Sequence, residues 1–128
     1  MVWPKFSSLE LTSVIKLLEK GKVNYWTGEY GKKLEKDFSK LVNKKYGLCL
    51  TNATVALEYS LKILNLKKND QVLVTPRSYY SSASCILKNN LVPVFCDVEL
   101  NSQNISLESI KEKINSKTKA LIVVHLGG

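Results

Sequence analysis

Apolar positions recur along the chain with a helical period at its start. Leu9, Leu11, Val14, Ile15, Leu17 and Leu18 stand at near-helical spacing, which predicts an amphipathic helix. Ser7 to Glu10, just before them, has the S-x-x-E form of a capping box, and Gly21 suits the left-handed position past the helix end. A second helix is predicted over about residues 30–44, with Leu34, Phe38, Leu41 and Val42 on one face. Four short apolar runs follow, at 48–50, 71–74, 92–95 and 119–124. Short runs without alternation read as strands buried on both faces of a parallel sheet. Helical patterns fill the intervals: 55–64 behind an Asn52 or Thr51 cap, 79–87 closed by Asn89-Asn90, and 106–114 with Glu108 in its first turn. Pro93 cannot donate to a sheet ladder, so its strand belongs at a strand's beginning or a sheet margin.

Alternating helices and mostly parallel strands define an α/β fold with right-handed crossovers. Ligands in such sheets bind beyond the carboxyl ends of the strands. Three segments fall there: 51–54, 75–80 and 125–128. The chain stops at Gly127-Gly128, directly after a buried-type strand, where a loop and a helix would normally follow. The expectation is therefore the leading piece of a longer protein.

Composition narrows the class. At 128 residues, 45% hydrophobic and 23% charged, the chain suits one globular domain rather than a disordered segment. The longest aliphatic run, 120–124, falls far short of the ~20 residues of a membrane span, and no signal peptide is visible. A cytoplasmic protein without a membrane partner is expected. The net charge is +8, but Arg77 is the only arginine, and the lysines are spread and interleaved with acids. Such a pattern reads as a solvated basic face, with no motif for nucleic acid. Cys49, Cys85 and Cys96 are odd in number, lack C-x-x-C spacing and sit among apolar or small residues, so all three read as reduced core thiols. No metal-spaced set of ligands, Walker A loop or G-x-S-x-G elbow is present.

Four segments offer chemistry. Thr51-Asn52-Ala53-Thr54 lies at a strand-to-helix turn, where free N–H groups and the helix dipole favour a phosphate. An ordinary helix cap would have the same residues. Tyr79, in the turn after the second strand, could stack on a flat heteroaromatic ring, and Arg77 could pair with an anion; a core tyrosine and a surface arginine are the plainer alternative. His125 ends the last strand, a place held as readily by a structural histidine. Asn24-Tyr25-Trp26-Thr27-Gly28 is an aromatic loop that either lines a substrate mouth or covers a core.

In this order, the segments resemble the DegT/DnrJ/EryC1/StrS family of pyridoxal-phosphate sugar aminotransferases. The matching stretches are Gly21 to Gly28, Thr51-Asn52-Ala53-Thr54-Val55-Ala56-Leu57, Asp70 to Tyr79, Pro93 to Val98, Asn104-Ile105, and Lys117 to Leu126. The resemblance implies a type I (aspartate aminotransferase-like) fold, of which residues 1–128 are the N-terminal part of the large domain and 1–28 the first helix and substrate-side loop. It implies pyridoxal 5'-phosphate as cofactor, a nucleotide-linked keto sugar as substrate, glutamate as amino donor, and a homodimer. Asn52, Ala53 and Thr54 fall where the family holds the cofactor phosphate, Tyr79 where a ring stacks on the pyridine, and His125 in the strand-end motif. Tyr25, Trp26, Gly28 and Arg77 fall on the substrate side.

Ala53 replaces the family's usual glycine, which matters if the position needs positive φ. The aspartate that pairs with the pyridine nitrogen is expected just beyond Gly128, and the lysine that carries the cofactor much further on. The 128 residues alone are therefore expected to be inactive and poorly folded. A sugar dehydratase of the same family, a non-catalytic remnant that binds cofactor or partner, and another type I enzyme such as a desulfurase or lyase are the alternatives. The Tyr25-to-Gly28 loop speaks for the sugar family over the last.

Overall fold

The capping box at the start of the chain is formed. The Ser7 backbone N–H donates to Glu10 Oε2 at 2.6 Å, and the Glu10 N–H donates back to Ser7 Oγ at 3.3 Å. Helix α1 (Ser8–Glu19) follows, and Gly21 takes the left-handed φ of +64° that its position past the helix end requires. A computed structural model describes residues 3–128 and divides them into two units, one ending at Cys49 and the other spanning Leu50–Gly128.

The first unit holds α1 and α2 (Tyr30–Leu41). The periodicity predicts α2 three residues longer. It stops early because Asn43 adopts φ +52°, a left-handed turn that asparagine tolerates. Leu9, Leu11, Val14, Ile15 and Leu18 form the predicted apolar stripe of α1, yet all five are exposed.

The predicted strand at 48–50 is not formed. A strand needs a ladder partner, and among the described residues none pairs with this segment. The Cys49 N–H donates instead to Glu35 Oε1 at 2.8 Å, and Leu48 and Leu50 stay exposed.

The second unit runs α3 (Ala53–Ile63), β1 (Gln71–Val74), α4 (Ser81–Lys88), β2 (Val92–Phe95), α5 (Leu107–Lys113) and β3 (Thr118–Ile122). Its three strands are all parallel, in the order β2-β1-β3. Pro93 therefore lies on an edge strand, where its missing N–H breaks no outer ladder. β1 is central, and Val72, Leu73 and Val74 are all buried. Val72 and Val74 share a cluster with Leu61 of α3, Cys85 and Ile86 of α4, and Leu91. Leu73, between them, faces the opposite side. The path from β1 through α4 to β2 runs outward, and that from β2 through α5 to β3 steps back over β1. Right-handed crossovers then put α4 and α5 on opposite faces. Ser109 of α5 accepts the Asp97 N–H at 2.9 Å, tying α5 to the chain leaving β2.

All three cysteines are free. Cys85 and Cys96 are core residues as expected, and burial pushes both thiols above their ordinary pKa. Cys49 departs from the expectation: it is only half-buried, its Sγ 3.7 Å from the Gly31 carbonyl. The thiolate is the reactive form, so a thiol reagent should label Cys49 first under native conditions and reach the other two only on unfolding. Peptide mass spectrometry over a labelling time course reads this directly, and equal rates at the three sites would contradict it.

Candidate functional site

Parallel strands present their carboxyl ends on one side of the sheet, so the turns after β1 and β3 share that side. After β1, buried Thr75 accepts the Arg77 N–H on its hydroxyl at 3.2 Å, which closes a tight turn. The hydroxyls of Ser78 and Ser82 share a hydrogen bond of 2.6 Å that joins this turn to α4. Tyr79, predicted as a stacking ring, is 78% exposed. It lines an open recess of about 530 Å³ together with Tyr80, Leu87, Pro93 and Phe95.

The turn before α3 is built by Asn52. Its Oδ1 accepts the Val55 N–H at 3.0 Å, and its carbonyl accepts the Ala56 N–H. The N–H groups of Ala53 and Thr54 and the Thr54 hydroxyl have no partner among the described residues. Ala53 is the first residue of α3 and is not among the residues with positive φ. Alanine for glycine therefore costs no backbone strain here.

The ion pair between Lys88 and Glu58 sets the level of α3 against α4, and Asn89 Nδ2 adds a bond to the Glu58 carbonyl at 3.1 Å. Both helices run back toward the amino ends of the strands. At ~1.5 Å per residue, Ala53 stands about 7.5 Å up α3 from Glu58, and Ser81 about 10.5 Å up α4 from Lys88. The two helix starts therefore end near one level, and 51–54 and 75–79 share the carboxyl side of the sheet.

His125 is exposed at that same side, after β3. The 99–104 turn braces both segments. Gln103 Oε1 accepts from Arg77 Nη1 at 2.5 Å, and Asn104 Oδ1 accepts the Leu126 N–H at 3.1 Å. Neither Gln103 nor Asn104 stands in a local motif that marks it as a site residue, although Asn104 lies in one of the stretches that resemble the family. The pairs are 26 and 22 residues apart, and no local pattern marks them.

Tyr25, Trp26 and Gly28 belong to the first unit. Asn24 Oδ1 accepts the N–H groups of Trp26 and Thr27, both at 2.9 Å, and the Asn24 carbonyl accepts that of Gly28 at 2.8 Å. A Cβ at Gly28 would lie 2.6 Å from the Lys22 carbonyl oxygen and 2.7 Å from that of Asn24, so only glycine closes this loop. Trp26 meets Tyr25 edge to face at 5.8 Å and is 84% exposed. The loop thus presents its largest ring to solvent and does not bury it in its own unit. The Tyr25 hydroxyl donates to Glu35 Oε2 at 3.1 Å, and that carboxylate raises the phenol's pKa. No cluster of three or more metal-ligating side chains occurs among the described residues.

What the second unit offers is a pair of unpartnered amides and a hydroxyl at a helix start, suited to a phosphate, with an exposed ring on the same side of the sheet. The donor set fits the phosphate and ring of pyridoxal phosphate.

Comparison with known proteins agrees in kind. Residues 4–128 match the pattern of the DegT/DnrJ/EryC1/StrS aminotransferase family. GDP-perosamine synthase of Vibrio cholerae is 35% identical over 101 residues, which cover 79% of this chain and 28% of that protein. The crystal structure of an aminotransferase from Psychrobacter cryohalolentis superposes with a TM-score of 0.93 at 37% identity, over 100% of this chain and 32% of that one. A GDP-4-keto-6-deoxymannose-3-dehydratase, solved with PLP and glutamate trapped in it, superposes with a TM-score of 0.85 at 26% identity, over 93% of this chain and 32% of that one. The chain thus spans less than a third of the length of each of these relatives.

Proposed function

This chain belongs to the DegT/DnrJ/EryC1/StrS aminotransferase family, and we propose that its protein uses pyridoxal 5'-phosphate to move an amino group from glutamate onto a nucleotide-linked keto sugar. The observation that carries this reading is the free amide pair of Ala53 and Thr54, on the same side of the parallel sheet as the exposed ring of Tyr79. In this reading residues 1–128 belong to the N-terminal part of the enzyme's large domain, and the full-length enzyme works in the cytoplasm as a homodimer.

The cofactor, when bound, supplies an electron sink for the carbon that carries the nitrogen. The chain's own residues hold and orient. Asn52 occupies the Val55 N–H and so leaves Ala53 and Thr54 to donate to the phosphate, assisted by the dipole of α3. Tyr79 would stack on the pyridine ring, and His125, just past the end of β3, would stand beside it. Arg77, oriented by Gln103, answers the negative charge of the substrate, and Tyr25, Trp26 and Gly28 form the loop on the sugar's side.

Dehydration of a keto sugar on the same scaffold is the second reading, favoured by the likeness to the dehydratase. One assay separates the two. The protein made from its complete reading frame is given pyridoxal phosphate, glutamate and a GDP- or dTDP-linked 4-keto-6-deoxy sugar. Amino sugar and 2-oxoglutarate should appear in equal amounts. Loss of water from the sugar without a gained nitrogen would establish the second reading, and no change in any sugar nucleotide would reject both.

A further inference from the structure

Tyr25 is seated on α2 by two positions one turn apart. Its ring lies against Gly31, where an added Cβ would meet ring atom Cδ2 at 2.9 Å. Its hydroxyl reaches Glu35 Oε2, four residues further along the same helix face. Lys32 Nζ stands 5.8 Å from the centre of the ring. The other oxygen of Glu35 accepts the Cys49 N–H, and Gly47 lies so close that a Cβ there would sit 2.6 Å from the Glu35 carbonyl oxygen. Glu35 thus joins three stretches of the first unit: the aromatic loop, α2 and the segment at 47–49.

We propose that Glu35 is the positioning residue of the aromatic loop, one oxygen holding Tyr25, and through it Trp26, in the arrangement that receives the nucleotide sugar, and the other holding the segment at 47–49. This rests on the reading of the loop as the sugar's side. An ionised carboxylate is acceptor-only and has two oxygens, so it serves both donors without competition. Removing the Tyr25 hydroxyl frees only the loop, whereas removing the carboxylate frees both segments. That asymmetry separates positioning from general stability.

The test uses the pyridoxal-phosphate-loaded protein from its complete reading frame, with the variants Tyr25→Phe, Glu35→Ala and Glu35→Gln. Amide hydrogen exchange is followed by mass spectrometry in peptides covering 24–28 and 47–50. Glu35→Ala should speed exchange about tenfold or more in both peptides, the loss expected of a severed hydrogen bond. Tyr25→Phe should speed only the first. Glu35→Gln keeps an acceptor for Cys49 and offers its amide to the Tyr25 hydroxyl, so it should restore both. With the sugar nucleotides named above, Tyr25→Phe should raise KM about tenfold while kcat and the half-reaction with glutamate hold. Unchanged exchange in Glu35→Ala overturns the proposal, as does faster loop exchange with an unmoved KM. If the wild-type protein converts no sugar nucleotide, the functional reading fails, and the exchange pattern alone decides whether Glu35 holds the loop.

Discussion

Ala53→Asp should make the protein harder to melt and nearly unable to bind pyridoxal phosphate. The two effects have opposite signs because they draw on the same helix end. Helix α3 carries no acidic residue in its first turn, and an aspartate there meets the positive end of the dipole, worth about 0.3–1 kcal/mol. The same carboxylate sits where the phosphate is proposed to bind. At about 5 Å and an effective dielectric constant of about 20, each pair of unit charges costs about 3 kcal/mol, which is more than a hundredfold in affinity. Thermal unfolding followed by circular dichroism reads the first effect, and equilibrium dialysis of pyridoxal phosphate reads the second. Pyridoxal, which lacks the phosphate, is the control and should bind the variant as it binds the wild type. Ala53→Gly should change affinity only slightly, because the position does not need positive φ. Undiminished binding of pyridoxal phosphate by Ala53→Asp would remove the helix start from the site.

Ile86→Ala should cost about 2–5 kcal/mol, the range for deleting a buried aliphatic side chain from a packed core. Ile86 has no exposed surface and stands in the cluster with Val72, Val74, Cys85, Leu61 and Leu91. Domains are commonly stable by only about 5–15 kcal/mol, so this one change removes a large part of the margin. Ile63→Ala is the matched comparison, since that side chain ends α3 with 74% of its surface exposed. It should change stability by about 0.5 kcal/mol or less. Urea unfolding of both variants gives the two differences, and equal losses would show that Ile86 is not at the centre of the core.

The fold was legible wherever its cause is local. The Ser7–Glu10 box, the Asn52 and Ser106 caps and the left-handed Gly21 each depend on residues within a few positions of one another. The three formed strands were legible from short apolar runs between helical patterns. The segment at 48–50 shows the limit: it has the composition of a strand, but its Cys49 donor goes to Glu35, fourteen residues back in the chain. The exposed stripe of α1 teaches the same lesson, since periodicity marks an apolar face and does not say what covers it. Among the candidate site residues, Tyr79 and His125 could be placed at strand ends from the alternation of elements alone. The partners that hold the site could not, because Arg77 finds Gln103 and Tyr25 finds Glu35 only after the chain has folded back.

Read alone, the residues determined the α/β alternation, the capped starts of α1, α3 and α5 and the family, because periodicity, capping and ordered motifs act over short spans of chain. The tertiary structure decided that β1 lies at the centre of the sheet, that Pro93 lies on its edge, and that Cys49 answers to a carboxylate. Those outcomes depend on which distant donors and acceptors meet, and backbone closure in three dimensions settles that choice.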